Sequence, residues 1–501
     1  MGDAVSMDRM TGVLLGAACG DALGAGYEFG PPVSADERVV MRGQGAFAPG
    51  EWTDDAAQMI AVAGAATEGP ALDSEAGLEA VARGLMDWYL SPASSKDIGI
   101  HSAAVFARVS GMQANLFAKF RKAALEKEIR NPGTSGGNGA LMRTAPVAMA
   151  LWREPERMVA AAMTIGGMTH ADPLSEQSCA VWCLAIRAAL LADDPSDIAG
   201  LAAQVEADLE RYLPEHAAYW REVLAGAFGT SPVDYYAYRP GNGYCVTTVR
   251  AAWAAVTSVA GTGRRPGDDL RLAIEAAVRG GGDTDTVACV AGALAGALWG
   301  ASAVPLQWRR RIFGWPGMRD RGLVRMAHAI GAHGFNASRW PDAGHVDYSG
   351  WGHRDSLAVH PHDDGVVLSG FVAALGRVEI PGGAVDAVVS LCRVGTDDLA
   401  ALGVPDEDRV EVWLVDGGRD DNPNLQLTVD EAADAVAAFR AEGKRVLLHC
   451  VAAQSRTPTV AARYSVRHLG MHPAQARLEV CAALPAASLH PGLLATVGGW
   501  R

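Results

Sequence analysis

Paired cysteines are missing from this 501-residue chain. Its eight cysteines, Cys19, Cys179, Cys183, Cys245, Cys289, Cys392, Cys450 and Cys481, are scattered without a CxxC spacing. They are too sparse for a disulfide framework and lack zinc-ligand spacing, so a reducing, cytoplasmic setting is expected. Positive charge is also short: 43 Lys and Arg against 57 Asp and Glu leave a net charge of -14. That excludes a general nucleic-acid binder, which needs a basic stripe, but leaves room for a small phosphorylated ligand in one pocket. β-Branched alternating runs are nearly absent before residue 360, and no internal repeat links the two halves. The apolar stretch 12–20 follows Asp3, Asp8 and Arg9, where a secretory signal needs net positive charge. Residues 286–306 carry no charge and are about long enough to span a bilayer, yet Ala and Gly dominate them. They predict a buried helix packed through small residues, with no membrane partner.

What is present divides the chain. A length of 501 residues exceeds one ordinary core. Alanine-rich stretches with helical period predict helices at 55–66, 75–90, 176–192, 199–212, 247–260, 269–279 and 286–300. Gly- and Pro-bearing loops separate them at 30–50, 131–139, 169–173, 228–245 and 280–284. Residues 1–335 therefore read as an all-α domain. Residues 336–362 are polar, aromatic and aperiodic, and read as a linker or docking segment. Its histidines, His345, His353, His360 and His362, with Asp363 and Asp364, are weighed as metal ligands and read as solvated loop residues instead. Residues 363–501 alternate short strands (366–374, 376–380, 387–392, 410–415, 445–449) with helices (428–442, 457–468, 473–484), the pattern of an α/β domain.

Two acidic clusters lie in the first domain: Thr53-Asp54-Asp55 after Trp52, and Asp283-Thr284-Asp285-Thr286 after three glycines. Carboxylates that close repel one another unless a cation neutralises them. Hard oxygen donors of this kind suit Mg²⁺, Mn²⁺ or Ca²⁺ rather than zinc.

A second constellation spans 445–461, where strand, loop and helix carry His449-Cys450 and Arg456 in the spacing HCx5R. A loop closing into a helix N-terminus forms an anion nest, and the same field stabilises a thiolate at Cys450. Arg456 can fork onto two phosphate oxygens, and Thr457 can donate to the leaving sulfur. Together they describe phosphoryl transfer through cysteine. The leaving oxygen needs a general acid. Asp416, 34 residues before Cys450, is the first choice, Asp421 the second, and Asp420 shares their loop. These residues resemble the dual-specificity cysteine phosphatases over about 363–501. The family places Gly where this chain has Ala453, and a Cβ there disfavours a positive φ. Activity that is weakened, restricted to unusual phosphates or lost is the consequence to expect.

Further segments join the acidic clusters: GVLLGAACGDALGAGYEF at 12–29, PGTSGGNGALMRTAPVA at 132–148, THADP at 169–173 and GGGDTDTVACVAGALAGALW at 280–299. In this order they resemble the ADP-ribosylglycohydrolases, dinitrogenase reductase-activating glycohydrolases included, over roughly 7–335. The resemblance implies a compact all-α fold. It implies that Thr53, Asp54, Asp55, Asp283, Asp285 and Thr286 bind two Mg²⁺ or Mn²⁺ ions. It further implies that Glu28 is the mobile-loop glutamate and that His170 contacts the ligand. Ser135, Gly136, Gly137, Asn138, Gly139 and Arg143 would line an ADP-ribose pocket. Hydrolysis at the ribose C1″ passes through an oxocarbenium-like state. Metals there would orient the ribose hydroxyls and activate water, with Glu28 or a carboxylate among Asp54, Asp55 and Asp283 taking its proton. Asp21, in an apolar helix, would taken alone be a satisfied core carboxylate, a reading that the ordered set of motifs outweighs.

The sequence thus predicts a two-domain hydrolase that removes ADP-ribose from a modified protein or small molecule and phosphate from a phosphorylated substrate. Two alternatives stand beside it. In one, the C-terminal domain is a weakened module that binds phosphate or ADP-ribose. In the other, both domains act in turn on a phosphorylated ADP-ribose derivative.

Overall fold

The computed structural model describes residues 6–67, 71–231, 243–265, 267–331 and 340–499. The middle of the 228–245 loop, the boundary at 335 and the start of the segment 336–362 lie outside them. The chain divides into two units, Met1–Val304 with Arg311–Gly334, and Pro305–Arg310 with Phe335–Arg501.

The first unit is helical, with helices over Met7–Gly24, Asp54–Thr67, Glu75–Tyr89, Pro173–Leu191, Ile198–Tyr212, Cys245–Val259, Asp268–Arg279 and Thr284–Trp299 among others. One small hairpin, β1 (Phe313–Gly314) and β2 (Met318–Arg319), is attached. At its centre Met7–Gly24 and Thr284–Trp299 run antiparallel through a ladder of glycines. A Cβ on Gly12, Gly16, Gly20 or Gly24 would stand 2.2, 2.2, 2.0 or 2.4 Å from the carbonyl oxygen of Gly296, Gly292, Ala288 or Thr284. A spacing of four keeps one helix face bare, so the two backbones touch. Every residue of Thr284–Trp299 is buried, which is why an uncharged run is tolerated there. One helix among the described residues, Pro173–Leu191, is long and apolar enough to cross a membrane by length and composition, and 78% of that window is buried inside the fold. The glycine ladder has a consequence for chemistry: it fixes Asp21 near the end of one helix beside Asp283 and Asp285 at the start of the other.

The second unit holds a five-stranded sheet of β3 (Leu357–His360), β4 (Asp363–Ser369), β5 (Ala387–Ser390), β6 (Arg409–Glu411) and β7 (Val446–His449), in the order β3-β4-β7-β5-β6. The β3–β4 pair is antiparallel and the other pairs are parallel. Val446, Leu448 and Cys450 face one core with the helices Leu425–Ala441 and Arg456–His468, while Leu447 and Val451 face the other. This is the two-residue period of a strand buried on both faces.

Several expectations need correction. Residues 357–360, read as aperiodic, form the edge strand β3. Residues 376–380, read as a strand, are loop. His360 and His362 are not solvated: His360 is buried against Tyr464, and His362 sits between the Ser465 hydroxyl (2.9 Å) and Glu479 (2.6 Å). His345 and His353 are exposed as expected, and His345 bonds Asp398 at 2.8 Å. All eight cysteines are free thiols.

Candidate active site

The first acidic cluster opens the helix Asp54–Thr67, and its N-terminal amides are capped from another helix. Asp21 accepts the N–H of Thr53 (2.9 and 3.1 Å) and of Ala56 (2.8 Å), and the Thr53 hydroxyl at 2.9 Å. A carboxylate at a helix N-terminus answers both orphan donors and dipole, and Asp21 combines that capping role with a place among the clustered carboxylates. The single Thr53 hydroxyl proton serves either Asp21 or Asp55 Oδ2, which lies 3.1 Å away.

Oxygens of Asp21, Asp55 and Asp285 come within 4.8 Å of one another, as do those of Glu28, Asp97 and Asp285. Asp55 and Asp285 are 1% and 2% exposed. Burial, then neighbouring carboxylates, holds Asp54, Asp55 and Asp285 well above the carboxylate range. Glu28 is pushed up to about 8, by burial first and then by Asp97, Asp283 and Asp21. Asp55 Oδ1 is buried with no hydrogen-bond partner among the described residues. An acceptor of that kind is costly unless something fills it, and a hard divalent cation fits a donor set made wholly of carboxylate and hydroxyl oxygens.

Thr286 is buried in the first turn beyond Asp285, and its N–H closes back on Asp285 Oδ1 at 2.9 Å. Asp283 accepts from Asn138 Nδ2 at 2.8 Å, and the same amide group reaches the Thr248 hydroxyl at 3.0 Å. Asn138 thereby joins the glycine-rich loop to the second acidic cluster. Gly139 and Gly137 lie under the His170 ring. A Cβ on Gly139 would meet its Cε1 at 3.1 Å, and one on Gly137 its Nε2 at 3.5 Å. Gly136 packs under the Tyr244 ring, where a Cβ would stand 2.8 Å from it, and Ser135 is fully buried beside it. His170 is buried, stacks on His101 at 4.4 Å between centroids, and is kept neutral by burial well below the usual imidazole range. Asp172 caps the next helix through the Leu174 N–H, which explains the Asp-Pro after His170.

Arg143 is a correction. It is fully buried, with Nη1 on Gln58 (2.7 Å) and Nη2 on Thr169. Gln58 in turn donates to Asp54, and the Thr169 hydroxyl meets His170 Nδ1 at 2.8 Å. Arg143 therefore braces the acidic cluster against His170 rather than lining a pocket. Asp97 is the residue the sequence reading missed. It lies in a loop before the helix Ile100–Val109 with no acidic companion, so only its position among the carboxylates reveals it.

In the second unit, Cys450 follows β7 directly, where Ser369 of β4 and Ser390 of β5 pair with His449. Ends of parallel strands are where such folds bind ligands. The loop Cys450–Ser455 runs into the helix Arg456–His468, and Ala453 in it takes φ = 52°, the conformation its Cβ disfavours. Arg456 Nη1 donates to the carbonyls of Leu391 (2.9 Å) and Leu414 (3.1 Å), while its Nε is buried and has no partner among the described residues. The guanidinium is thus anchored on one side with a donor to spare. His449 is fully buried, held down to about 4 by burial, and contacts the Ser390 hydroxyl at 2.7 Å. The Thr457 hydroxyl donates to the Ser369 carbonyl at 3.4 Å rather than to the sulfur. Asp416 and Asp420 are exposed in the loop before Leu425–Ala441, and Asp421 folds that loop by accepting the Gly418 N–H at 3.1 Å.

The buried carboxylates gathered at the ends of these close-packed helices make a candidate divalent-cation site in a helical fold. The ADP-ribosylglycohydrolase family profile matches residues 3–338, and the chain belongs to that family. The family hydrolyses linkages to ADP-ribose, acts on ADP-ribosylated substrates such as proteins, and generally uses divalent metals. The chain is 27% identical over 307 residues to the ADP-ribosylarginine hydrolase Tri1 of Serratia proteamaculans (strain 568), covering 60% of this chain and 75% of that protein. A solved ADP-ribosylglycohydrolase-related protein complex matches 65% of this chain and 97% of its own at 26% identity, with a TM-score of 0.47. A further stretch is similar to dual specificity protein phosphatase 1 of Arabidopsis thaliana, at 32% identity over 74 residues, 15% of this chain and 37% of that protein.

Proposed function

We propose that the helical unit hydrolyses the bond between ADP-ribose and an arginine side chain, and that the α/β unit removes phosphate through Cys450. The observation that carries the first part is the buried, unpartnered Asp55 Oδ1 beside Asp21 and Asp285. Thr53, Asp54, Asp55, Asp283, Asp285 and Thr286 would hold two Mg²⁺ or Mn²⁺ ions, and Glu28 and Asp97 border the same oxygens. When bound, such ions orient the ribose hydroxyls and lower the pKa of a water. The rest falls to this chain's own groups. Water adds to the ribose C1″ as the bond to the guanidine nitrogen breaks. Half-buried Glu28, ionised once its acidic neighbours are neutralised, takes a proton from the water and passes it to the leaving nitrogen. Asn138 fixes Asp283. Neutral His170, buried between the His101 ring and Gly137 and Gly139, props the glycine-rich loop proposed to take the nucleotide portion. The similarity to an ADP-ribosylarginine hydrolase supports arginine as the acceptor.

The test is a panel of peptides ADP-ribosylated on arginine or serine, together with an acetyl ester of ADP-ribose, with products identified by mass spectrometry. Free ADP-ribose is expected from the arginine peptide, with loss on chelation and return with Mg²⁺ or Mn²⁺. Cleavage indifferent to chelation would overturn the metal reading.

For the second unit, the spare Arg456 Nε beside the Cys450 loop supports phosphate binding, and Asp416 is the proposed acid. Cys450→Ser should abolish turnover of p-nitrophenyl phosphate and leave ADP-ribose release intact. Binding of phosphate without turnover in the unaltered chain would favour the weakened-module alternative.

A further inference from the structure

Phe29 combines two unfavourable features. It is 82% exposed, and its backbone sits at φ = 56°. A bulky L-residue is strained in that region, where glycine would make the same turn freely. The strain is imposed from both sides. The Phe29 N–H donates to the Gly282 carbonyl at 2.6 Å, and the Gly282 N–H returns to the Gly30 carbonyl at 2.9 Å. The Gly30 N–H closes on Tyr27 at 3.0 Å, and Gln44 Nε2 holds the Glu28 carbonyl at 2.9 Å. The turn that lifts Phe29 into solvent is therefore tied to the loop that carries Asp283. The residue before it, Glu28, shares the carboxylate group with Asp97 and Asp285. The backbone that bears this exposed ring is fixed beside Glu28, a member of the carboxylate group, and strained positions persist where the surroundings over-determine them and gather at ligand clamps.

We infer that Phe29 is a specificity-determining residue that stacks on the guanidinium of the arginine bearing the ADP-ribose; this rests on the reading above that the linkage is to arginine. A guanidinium is flat and cationic. It fits an aromatic face on one side and the half-buried carboxylates of Glu28 and Asp97 on the other. Adenine shares the flatness without the charge, and the experiment separates the two.

Steady-state kinetics on an arginine-ADP-ribosylated peptide, with calorimetric binding of ADP-ribose, would be compared for the unaltered chain, Phe29→Gly and Phe29→Trp. Glycine suits φ = 56°, so Phe29→Gly removes the ring without forcing the fold. The expected result is a KM about tenfold higher in Phe29→Gly, with kcat changed less than about twofold, ADP-ribose affinity unchanged, and KM restored in Phe29→Trp. An unchanged KM, or a fall in kcat alone, overturns the inference. A loss of ADP-ribose affinity that matches the rise in KM also overturns it, by assigning the ring to adenine. No release of ADP-ribose by the unaltered chain would instead defeat the underlying arginine reading.

Discussion

Replacing Gly16 with alanine should weaken the helical unit, although alanine is the better helix former. The new Cβ would lie 2.2 Å from the Gly292 carbonyl oxygen and 3.0 Å from its carbon. Ordinary contact begins near 3.4 Å, so the helices must part by about 1 Å. The obstructing atoms are backbone and cannot rotate away. Overpacking of this kind costs about 1–3 kcal/mol, while the gain in helix propensity over glycine is roughly 1 kcal/mol. A net loss of up to about 2 kcal/mol is expected. Gly64→Ala is the matched control. It lies in the helix Asp54–Thr67, where a Cβ would meet only Met326 Cε at 3.8 Å, so propensity acts alone and stability should rise by up to about 1 kcal/mol. Urea denaturation of both variants with an unchanged m-value reads the difference. Gly20→Ala, whose Cβ would be 2.0 Å from the Ala288 carbonyl oxygen, should also weaken Mg²⁺ binding, because its neighbour Asp21 would withdraw from Thr53 and Asp55. Equal stability of Gly16→Ala and Gly64→Ala would refute the close-packed ladder as the element that positions the site.

Three other outcomes are expected. Without metal, burial and mutual repulsion raise Asp54, Asp55 and Asp285, with Asp21 at about 7 and Glu28 at about 8. At these groups the folded chain then binds more protons than the unfolded one, so their contribution to stability is full below about pH 4 and is lost as pH rises towards 8; thermal melts in chelator should show that slope between about pH 5 and 8 and melts in Mg²⁺ should flatten it. Arg143→Lys cannot fork onto both Gln58 and Thr169, and the buried acceptor left behind should cost about 1–3 kcal/mol in a urea titration. Ala453→Gly relieves a strain of about 1–2 kcal/mol and loses a buried methyl worth about 0.8 kcal/mol, so stability should hardly change while phosphate-ester turnover rises.

The legible parts of this molecule are those whose signal is local. The period of apolar residues placed a helix at 75–90, observed as Glu75–Tyr89, and another at 473–484, observed as Pro473–Ala483. The two acidic clusters are visible because each concentrates its carboxylates and hydroxyls within four positions. Residues whose role comes from distant partners were not legible. Leu357–His360 is too short to alternate and is a strand only because β4 pairs with it. Residues 376–380 have the alternation but no neighbouring strand. Asp97 stands alone in its loop, and Arg143, in a motif that resembles a ligand-binding segment, turns inward to join Asp54 to His170 through Gln58 and Thr169. The spacing of Gly12, Gly16, Gly20 and Gly24 is a usable signal for the register of the central helix pair.

The most direct test of the central claim is the anomalous scattering of Mn²⁺ soaked into crystals of the unaltered chain and of Asp55→Asn. Manganese peaks are expected within coordination distance of Asp55 and Asp285 in the unaltered chain, with loss of the peak at Asp55 in the variant. Peaks elsewhere, or none at the carboxylates in metal-saturated crystals that still release ADP-ribose, would contradict that claim.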